Sequence, residues 1–273
     1  MPRVDIGAIT LSYAEAGEGE ALLFVPGLLG LSKSWEFQFG HFAKRYRCIS
    51  FDHRGAGESD KPAGAENYAT NLLADDAIGL LDALKIDRAH VIGTATGGCV
   101  AQNLAIDHPD RLGACVFTNT WTAADLYFRR LQTYRKWIAE AHGPDAFVEF
   151  SSVLTNGSQQ FRYDFEKVMA LEERSKQTIS SLEIIQARID MMLAHDRKSE
   201  LRKIDRRTLV IGTVDDATVP VYFSMDLHKA IKGSQLHIFN EGGHYAYRHR
   251  ADDWNAVVDK FLDQESAGDG APA

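Results

Sequence analysis

Two hydrophobic patterns alternate along the chain. Short, mainly apolar runs occur at Ala21–Val25, Arg47–Phe51, 89–92, 114–118, 208–212 and 235–239. Runs of this length suit strands buried on both faces. Helical spacing fills the intervals. The stretch 71–84 carries Leu72, Leu73, Ile78, Leu80, Leu81 and Leu84, and further helices are predicted at 96–107, 222–231 and 252–263. Near the start, 9–14 alternates apolar with polar residues and predicts an edge strand. Strands that alternate with helices imply an α/β class: a mostly parallel sheet with helices on both faces.

The rhythm breaks between about 121 and 203. Helical stretches are predicted at 124–141, 162–173 and 181–195, with no convincing strand among them. An insertion of roughly 80 residues without strands does not extend a sheet, so it is placed over one edge as a helical cap. Ligands of open α/β sheets bind beyond the carboxyl ends of the strands, where a cap would roof the pocket and exclude water. Tyr127, Phe128, Tyr134 and Trp137 are candidate pocket aromatics, with packing inside the helices as the alternative for each. The chain thus divides into a core of 1–120 and 204–265, a cap of 121–203, and a small, polar tail of 266–273 expected to fray.

Composition narrows the partners. A length of 273 residues suits one large core, and 45% hydrophobic with 25% charged residues is ordinary for a soluble enzyme. The formal net charge of −8 disfavours a nucleic-acid partner, which would need clustered Lys and Arg. No apolar run approaches membrane-spanning length and the first residues lack a signal core, so a cytoplasmic protein without a membrane partner is expected. Cys48, Cys99 and Cys115 lie in apolar contexts and read as buried, reduced thiols. No metal-ligand spacing is present, and no metal or cofactor is expected. The expected partner is a small-molecule substrate, with a homodimer left open.

Candidate chemistry centres on Gly93-Thr94-Ala95-Thr96-Gly97-Gly98. The stretch follows a strand pattern and opens a helix, and its glycines suit a sharp strand-to-helix turn of the G-x-nucleophile-x-G type. Ala95 stands where the nucleophile would be. By itself the stretch also fits a glycine-rich, phosphate-binding turn of another doubly wound protein. His244 follows Gly242-Gly243 just past the last strand pattern, where a loop can present an imidazole that titrates near neutral pH. His53, His249 and the remaining histidines read as structural or solvated.

Four motifs in order resemble the α/β-hydrolase superfamily over nearly the whole chain. Val25-Pro26-Gly27-Leu28-Leu29-Gly30 resembles the loop after the first buried strand, with Pro26 in place of the usual His. Asp52-His53-Arg54-Gly55-Ala56-Gly57-Glu58-Ser59 resembles the D-x-R-G-x-G-x-S turn, Gly93 to Gly98 the elbow, and Asn240 to His244 the late loop that carries the catalytic histidine. The resemblance implies a helical cap and a base–acid pair. His244 is the base, and Asp216 is picked as its acid by D-x-x-x-P spacing to Pro220, with Asp215 as the fallback. It also implies an oxyanion hole made by the backbone N–H groups of Leu28 and Thr96.

Within the superfamily, the aminoacrylate and carbamate hydrolases of pyrimidine breakdown are similar, and members of that group can carry Ala in the elbow. Asn119-Thr120-Trp121, the pair Arg129-Arg130, Asp215-Asp216 with Val219-Pro220, and Gly242-Gly243-His244 carry this likeness. It implies pocket roles for Asn119, Trp121, Arg129 and Arg130, the arginines as counter-charges to a small anionic substrate or, alternatively, as solvated cap residues. Three readings stay open. One is a hydrolase of a carbamate, amide or enamine in which His244 activates water and alanine is natural. Another is an esterase or lactonase whose nucleophilic serine was replaced by Ala95. The third is a hydrolase-derived binding protein without chemistry.

Overall fold

The computed structural model describes residues 1–264, so the tail expected to fray lies outside the described residues. Eight strands form one sheet: β1 (Arg3–Asp5), β2 (Thr10–Ala16), β3 (Ala21–Val25), β4 (Arg47–Phe51), β5 (Ala89–Thr94), β6 (Leu112–Thr118), β7 (Thr208–Thr213) and β8 (Gln235–Phe239). Their order is β1-β2-β4-β3-β5-β6-β7-β8. The pairs β1–β2 and β2–β4 are antiparallel, and every pair from β4 to β8 is parallel. One sequence expectation needs correction. The strand predicted at 9–14 is not the edge, because β1 pairs outside it, with Val4 opposite Leu11. Three residues are too few to show a period, so β1 left no signal.

Alternation on the buried strands decides which helices go where. Leu23, Val25, Ile49 and Val91 point to one face, where they meet Leu73, Ala77 and Leu80 of α2 (Thr70–Ala83) and Val100 and Leu104 of α3 (Thr96–Asp107). Leu22, Phe24, Ile92 and Val116 point to the other, against Phe42 of α1 (Glu36–Phe42) and Trp254 and Phe261 of the last helix, which spans Ala251–Leu262. Complete burial of side chains this size contributes about 1.5–3 kcal/mol each. The turn after β4 is tied to α2 by a buried pair, in which Arg54 Nε and Nη2 donate to the Asp76 carboxylate at 2.7 and 2.6 Å.

The 121–203 interval folds as α4 (Leu126–Tyr163), α5 (Phe165–Thr178) and α6 (Leu182–Ala194). α4 leaves helical geometry at Gly143 (φ 87°) and Gly157 (φ 74°), so its first segment ends close to the predicted 141 and further segments follow it. The glycine positive φ values and Pro144 break the helical pattern locally, which hid the later segments from periodicity. Entry and exit of the interval meet at an isolated antiparallel bridge, Ala123 to Asp196, so the cap is pinched at its base. After β7 come α7 (Tyr222–Ala230), the short α8 (Ala246–His249) and α9, the Ala251–Leu262 helix already named. Among the described residues no helix is long and apolar enough to cross a membrane.

Candidate active site

β5 ends in the elbow. Ala95 caps α3 with φ 50° and ψ −117°, a conformation that non-glycine residues rarely adopt and that costs about 1–3 kcal/mol. Its neighbours must be glycine. A Cβ on Gly97 would lie 2.1 Å from the Val25 carbonyl oxygen, and one on Gly93 would lie 2.2 Å from the Gly97 oxygen. The turn is held by Ala95 N–H to Thr118 O at 3.1 Å and by the Thr120 hydroxyl donating to Ala95 O at 2.7 Å. Thr96 begins α3, where the opening N–H groups have no acceptor within the helix. Leu28 stands on the loop after β3, closed by Gly30 N–H to Gly27 O at 3.0 Å. A Cβ on Gly27 would lie 3.5 Å from the Ala95 methyl, so that loop passes directly beside the elbow.

Two carboxylates follow β7 and do different work. Asp216 Oδ2 receives His244 Nδ1 at 2.7 Å and Asn119 Nδ2 at 2.7 Å, while its Oδ1 receives the N–H groups of Thr218 and Val219 at 2.8 Å each. A buried carboxylate needs several donors, and this one has them. With Nδ1 donating to Asp216, the His244 Nε2 carries the lone pair. Asp215, the fallback acid, does not touch the imidazole. Its oxygens accept the Gly242 and Gly243 N–H groups at 3.3 and 2.9 Å and so brace the loop that carries His244. Gly243 is obligatory there, since its φ is 61° and a Cβ would lie 2.8 Å from Thr155 O on the cap.

Ala95, Thr96, Leu28 and His244 border one cavity of about 200 Å³, roofed by residues of α4, α5 and α6. Of the expected pocket residues, Trp121 and Phe128 line it, their rings 4.4 Å apart. The others require correction. Arg129 and Arg130 are exposed and lie outside the lining, with Arg129 Nε donating to Ala124 O. Tyr127, Tyr134 and Trp137 are exposed as well. Asn119 is buried beneath the cavity, not on its wall, and spends its amide on Asp216 and on Thr213 Oγ1 at 3.1 Å.

Four cations border the cavity, Lys33, Arg174, Arg248 and the buried Arg135, the last with Gln132 beside it. Arg135 and Gln132 were missed as site residues, although Phe128, Gln132, Arg135 and Ala139 form an i, i+4, i+7, i+11 stripe that a helical period would turn inward. Burial pulls the Arg135 guanidinium pKa down to about 10. His53 and His249 are structural, as expected. Burial and nearby Arg188 hold His53 well below the usual histidine range, and burial takes His249, bound to Asn156 Oδ1, to about 4. The Cys99 thiol, one turn into α3, is pushed up by burial and is no nucleophile. Among the described residues no three His, Cys, Asp or Glu side chains converge at metal-ligand spacing.

The amino-acid sequence matches the alpha/beta hydrolase fold family over residues 20–248. It is 30% identical to a protein of Caulobacter vibrioides named as the carbamate hydrolase RutD, covering 96% of this chain and 99% of that one. A protein of the same name from Variovorax paradoxus is 32% identical, with 94% and 96% covered. The fold is similar to that of the enol-lactonase of Burkholderia xenovorans, with a TM-score of 0.88 at 23% identity over 96% of this chain and all (100%) of that one.

Proposed function

The chain belongs to the alpha/beta hydrolase fold family and is a hydrolase, and we propose that it cleaves a small carbamate, amide or enamine with water, not a side chain, as nucleophile. The observation that carries this reading is the buried His244–Asp216 pair, at 2.7 Å, whose imidazole borders the same cavity as the elbow in which Ala95 offers only a methyl group. The names of the relatives point to the same substrate class.

In the proposed sequence, water sits between Ala95 and His244. Its oxygen attacks the carbonyl carbon of a carbamate or amide, or the iminium carbon of an enamine that has taken a proton from solvent at its β-carbon, while Nε2 takes a proton. The Leu28 and Thr96 N–H groups hold the oxyanion, and Asp216 stabilises the imidazolium that forms. Collapse breaks the C–N bond, and His244 returns its proton to the departing nitrogen. Atoms balance as carbamate or amide plus water to acid plus amine or ammonia, and as enamine plus water to a carbonyl compound plus amine or ammonia. Carbamates and enamines are labile, so no acyl-enzyme is needed.

A second reading is favoured by one observation. The elbow keeps its strained φ and ψ at residue 95, the geometry a serine nucleophile would need. That reading is an esterase or lactonase with its serine replaced. The two separate on a comparison of the protein with Ala95→Ser and His244→Ala, each assayed on an activated ester and on a carbamate and amide panel. With water as nucleophile, the unaltered protein turns over a carbamate or amide, Ala95→Ser changes that rate little, and His244→Ala depresses it. A gain of several orders of magnitude in Ala95→Ser alone supports the replaced serine, since loss of a triad nucleophile costs about 10⁶-fold. Three equally inert proteins that still bind a small ligand tightly would leave only a binding function.

A further inference from the structure

The loop after β3, which carries the Leu28 N–H, is held by the cap at two places. Leu28 and Leu29 pack against an apolar cluster that includes Phe147, Ile185 and Ile189 of the cap. Arg188 of α6 takes the far end of the loop. Its guanidinium occupies the space beside Gly30 (φ 70°), where a Cβ would stand 2.6 Å from Nη2 and 2.8 Å from Nη1. Nη1 donates to Arg54 O at 3.1 Å, and Nη2 donates to His53 Nδ1 at 3.0 Å. His53 in turn donates its backbone N–H to Gly30 O at 2.8 Å, and Gly30 N–H reaches back to Gly27 O at 3.0 Å. Gly27 is the point at which the loop passes the elbow. A continuous series of contacts therefore joins a cap helix to the loop beside Ala95.

Attachment of the cap alone does not account for a cation at 188. The side chain is 3% exposed, makes no ion pair among the described residues, and leaves Nε without a hydrogen-bond partner. Burial pulls the guanidinium pKa down to about 10. A buried charge is often replaced by apolar residues of similar size without loss of stability. Leu28, Leu29, Phe147, Ile179 and Ile185 surround Arg188 with a wall that would suit such a residue. The cap is also fastened elsewhere, by the Ala123–Asp196 bridge and by Arg197, which donates twice to the Asp107 carboxylate at 2.7 Å. What a guanidinium adds is a rigid fork of donors, here set on two successive residues of the turn after β4 and against Gly30.

We infer that Arg188 is a positioning residue for the oxyanion hole: it fixes His53 and Gly30 so that the docked cap holds the loop with the Leu28 N–H toward the cavity. Arg188 does not border that cavity, so it acts through the loop and touches no substrate. The effect on rate rests on the hydrolytic reading above, but the order of the loop can be measured without turnover.

The test compares the unaltered protein with Arg188→Met, Arg188→Lys and, as a control for cap attachment, Arg197→Met. Each is followed by backbone hydrogen–deuterium exchange, urea midpoint and steady-state kinetics. Arg188→Met should speed exchange within 27–32 about 10-fold while β3 and β5 keep their protection. It should lower kcat on a carbamate or amide about 10- to 100-fold with KM within about 2-fold, less than the roughly 10²- to 10³-fold loss of a whole oxyanion donor. Arg188→Lys keeps the charge but reaches one acceptor of the two, so both effects should be intermediate. Arg197→Met should lower the urea midpoint and leave loop exchange and kcat as they were. Should Arg188→Met fail to fold, Arg188→Lys decides, and a loop that exchanges as in the unaltered protein overturns the inference. Faster exchange spread evenly over the fold, as a merely structural arginine would give, also overturns it. So does a faster loop with unchanged kcat, or an equal loosening of the loop in Arg197→Met. A selectively faster loop in a protein that turns over no carbamate or amide retains the brace and removes the hydrolytic reading. Turnover with an unchanged loop does the reverse.

Discussion

The floor and the roof of the cavity are built on opposite electrostatic terms. On the floor, the Asp216 carboxylate meets His244, the Asn119 amide and two backbone N–H groups, so its charge is answered inside the protein. On the roof, the Arg135 guanidinium meets only a neutral amide oxygen and a hydroxyl. The first charge is fixed by several donors, and the second rests on neutral groups alone. The two regions also differ in what holds them. Floor positions are set by backbone contacts that tolerate no Cβ, whereas roof positions are set by which face of α4 turns inward.

The largest test of that contrast is Gly97→Val. Its Cβ would stand 2.1 Å from Val25 O, backbone against backbone, so the floor cannot yield. We expect a loss of more than about 3 kcal/mol, read as failure to fold or a collapse of the urea midpoint. A Gly143→Ala change in the roof meets no atom within 4 Å and bears only its positive φ, so it should cost about 1 kcal/mol or slightly more. Equal losses at the two positions would erase the distinction.

Next in size is His244→Ala, expected to lower kcat about 10²- to 10⁴-fold on charged and neutral substrates alike. A drop confined to carboxylate-bearing substrates would move His244 from chemistry to recognition.

A pH effect sharpens the seam between the two regions. His195, at the end of the cap, pairs with Thr70 Oγ1 of α2 at 2.9 Å, and burial lowers its pKa to about 4. The unfolded chain takes up this proton below about 6.5 but the folded chain only near 4, so its contribution is whole above 6.5 and is lost as pH falls between those values. At pH 5 the loss should be about 1–2 kcal/mol. Urea midpoints at pH 7 and pH 5 should show it within a larger loss to which His53 and His249 also contribute, and His195→Gln should reduce the difference by about that 1–2 kcal/mol. An unchanged slope in the variant would place the effect elsewhere.

The smallest expected effect is that of Asp215→Ala. It frees the Gly242 and Gly243 N–H groups and loosens the His244 loop without touching the imidazole. A roughly 10-fold fall in kcat with KM nearly constant is expected, since misplacing a catalytic group costs rate before affinity. A loss as deep as that of Asp216→Asn would mean that both carboxylates serve the imidazole.

How much of this was readable in advance follows the same division. Mainly apolar runs marked β3 to β7, because a strand buried on both faces has few polar positions to break its run, and marked β8 as well, although at the sheet edge it is only half-buried and carries Gln235 and His237. The elbow, His244 and Asp216 were legible because sharp turns next to strand ends demand particular residues at particular spacings. Local sequence could not tell Asp215 from Asp216 except by family spacing. The tertiary structure separates their work, since one turns toward the imidazole and its neighbour toward the glycine N–H groups. Arg129 and Arg130 look as chemically apt as Arg135, and only the packing of α4 sends them to solvent and Arg135 to the cavity. Short-range chemistry is written in residue order, and so it was determined by the chain alone. The burial and pairing of a charge depend on groups far apart in sequence, Arg135 with Ser151 and Asp216 with Asn119, and only the folded arrangement decides them.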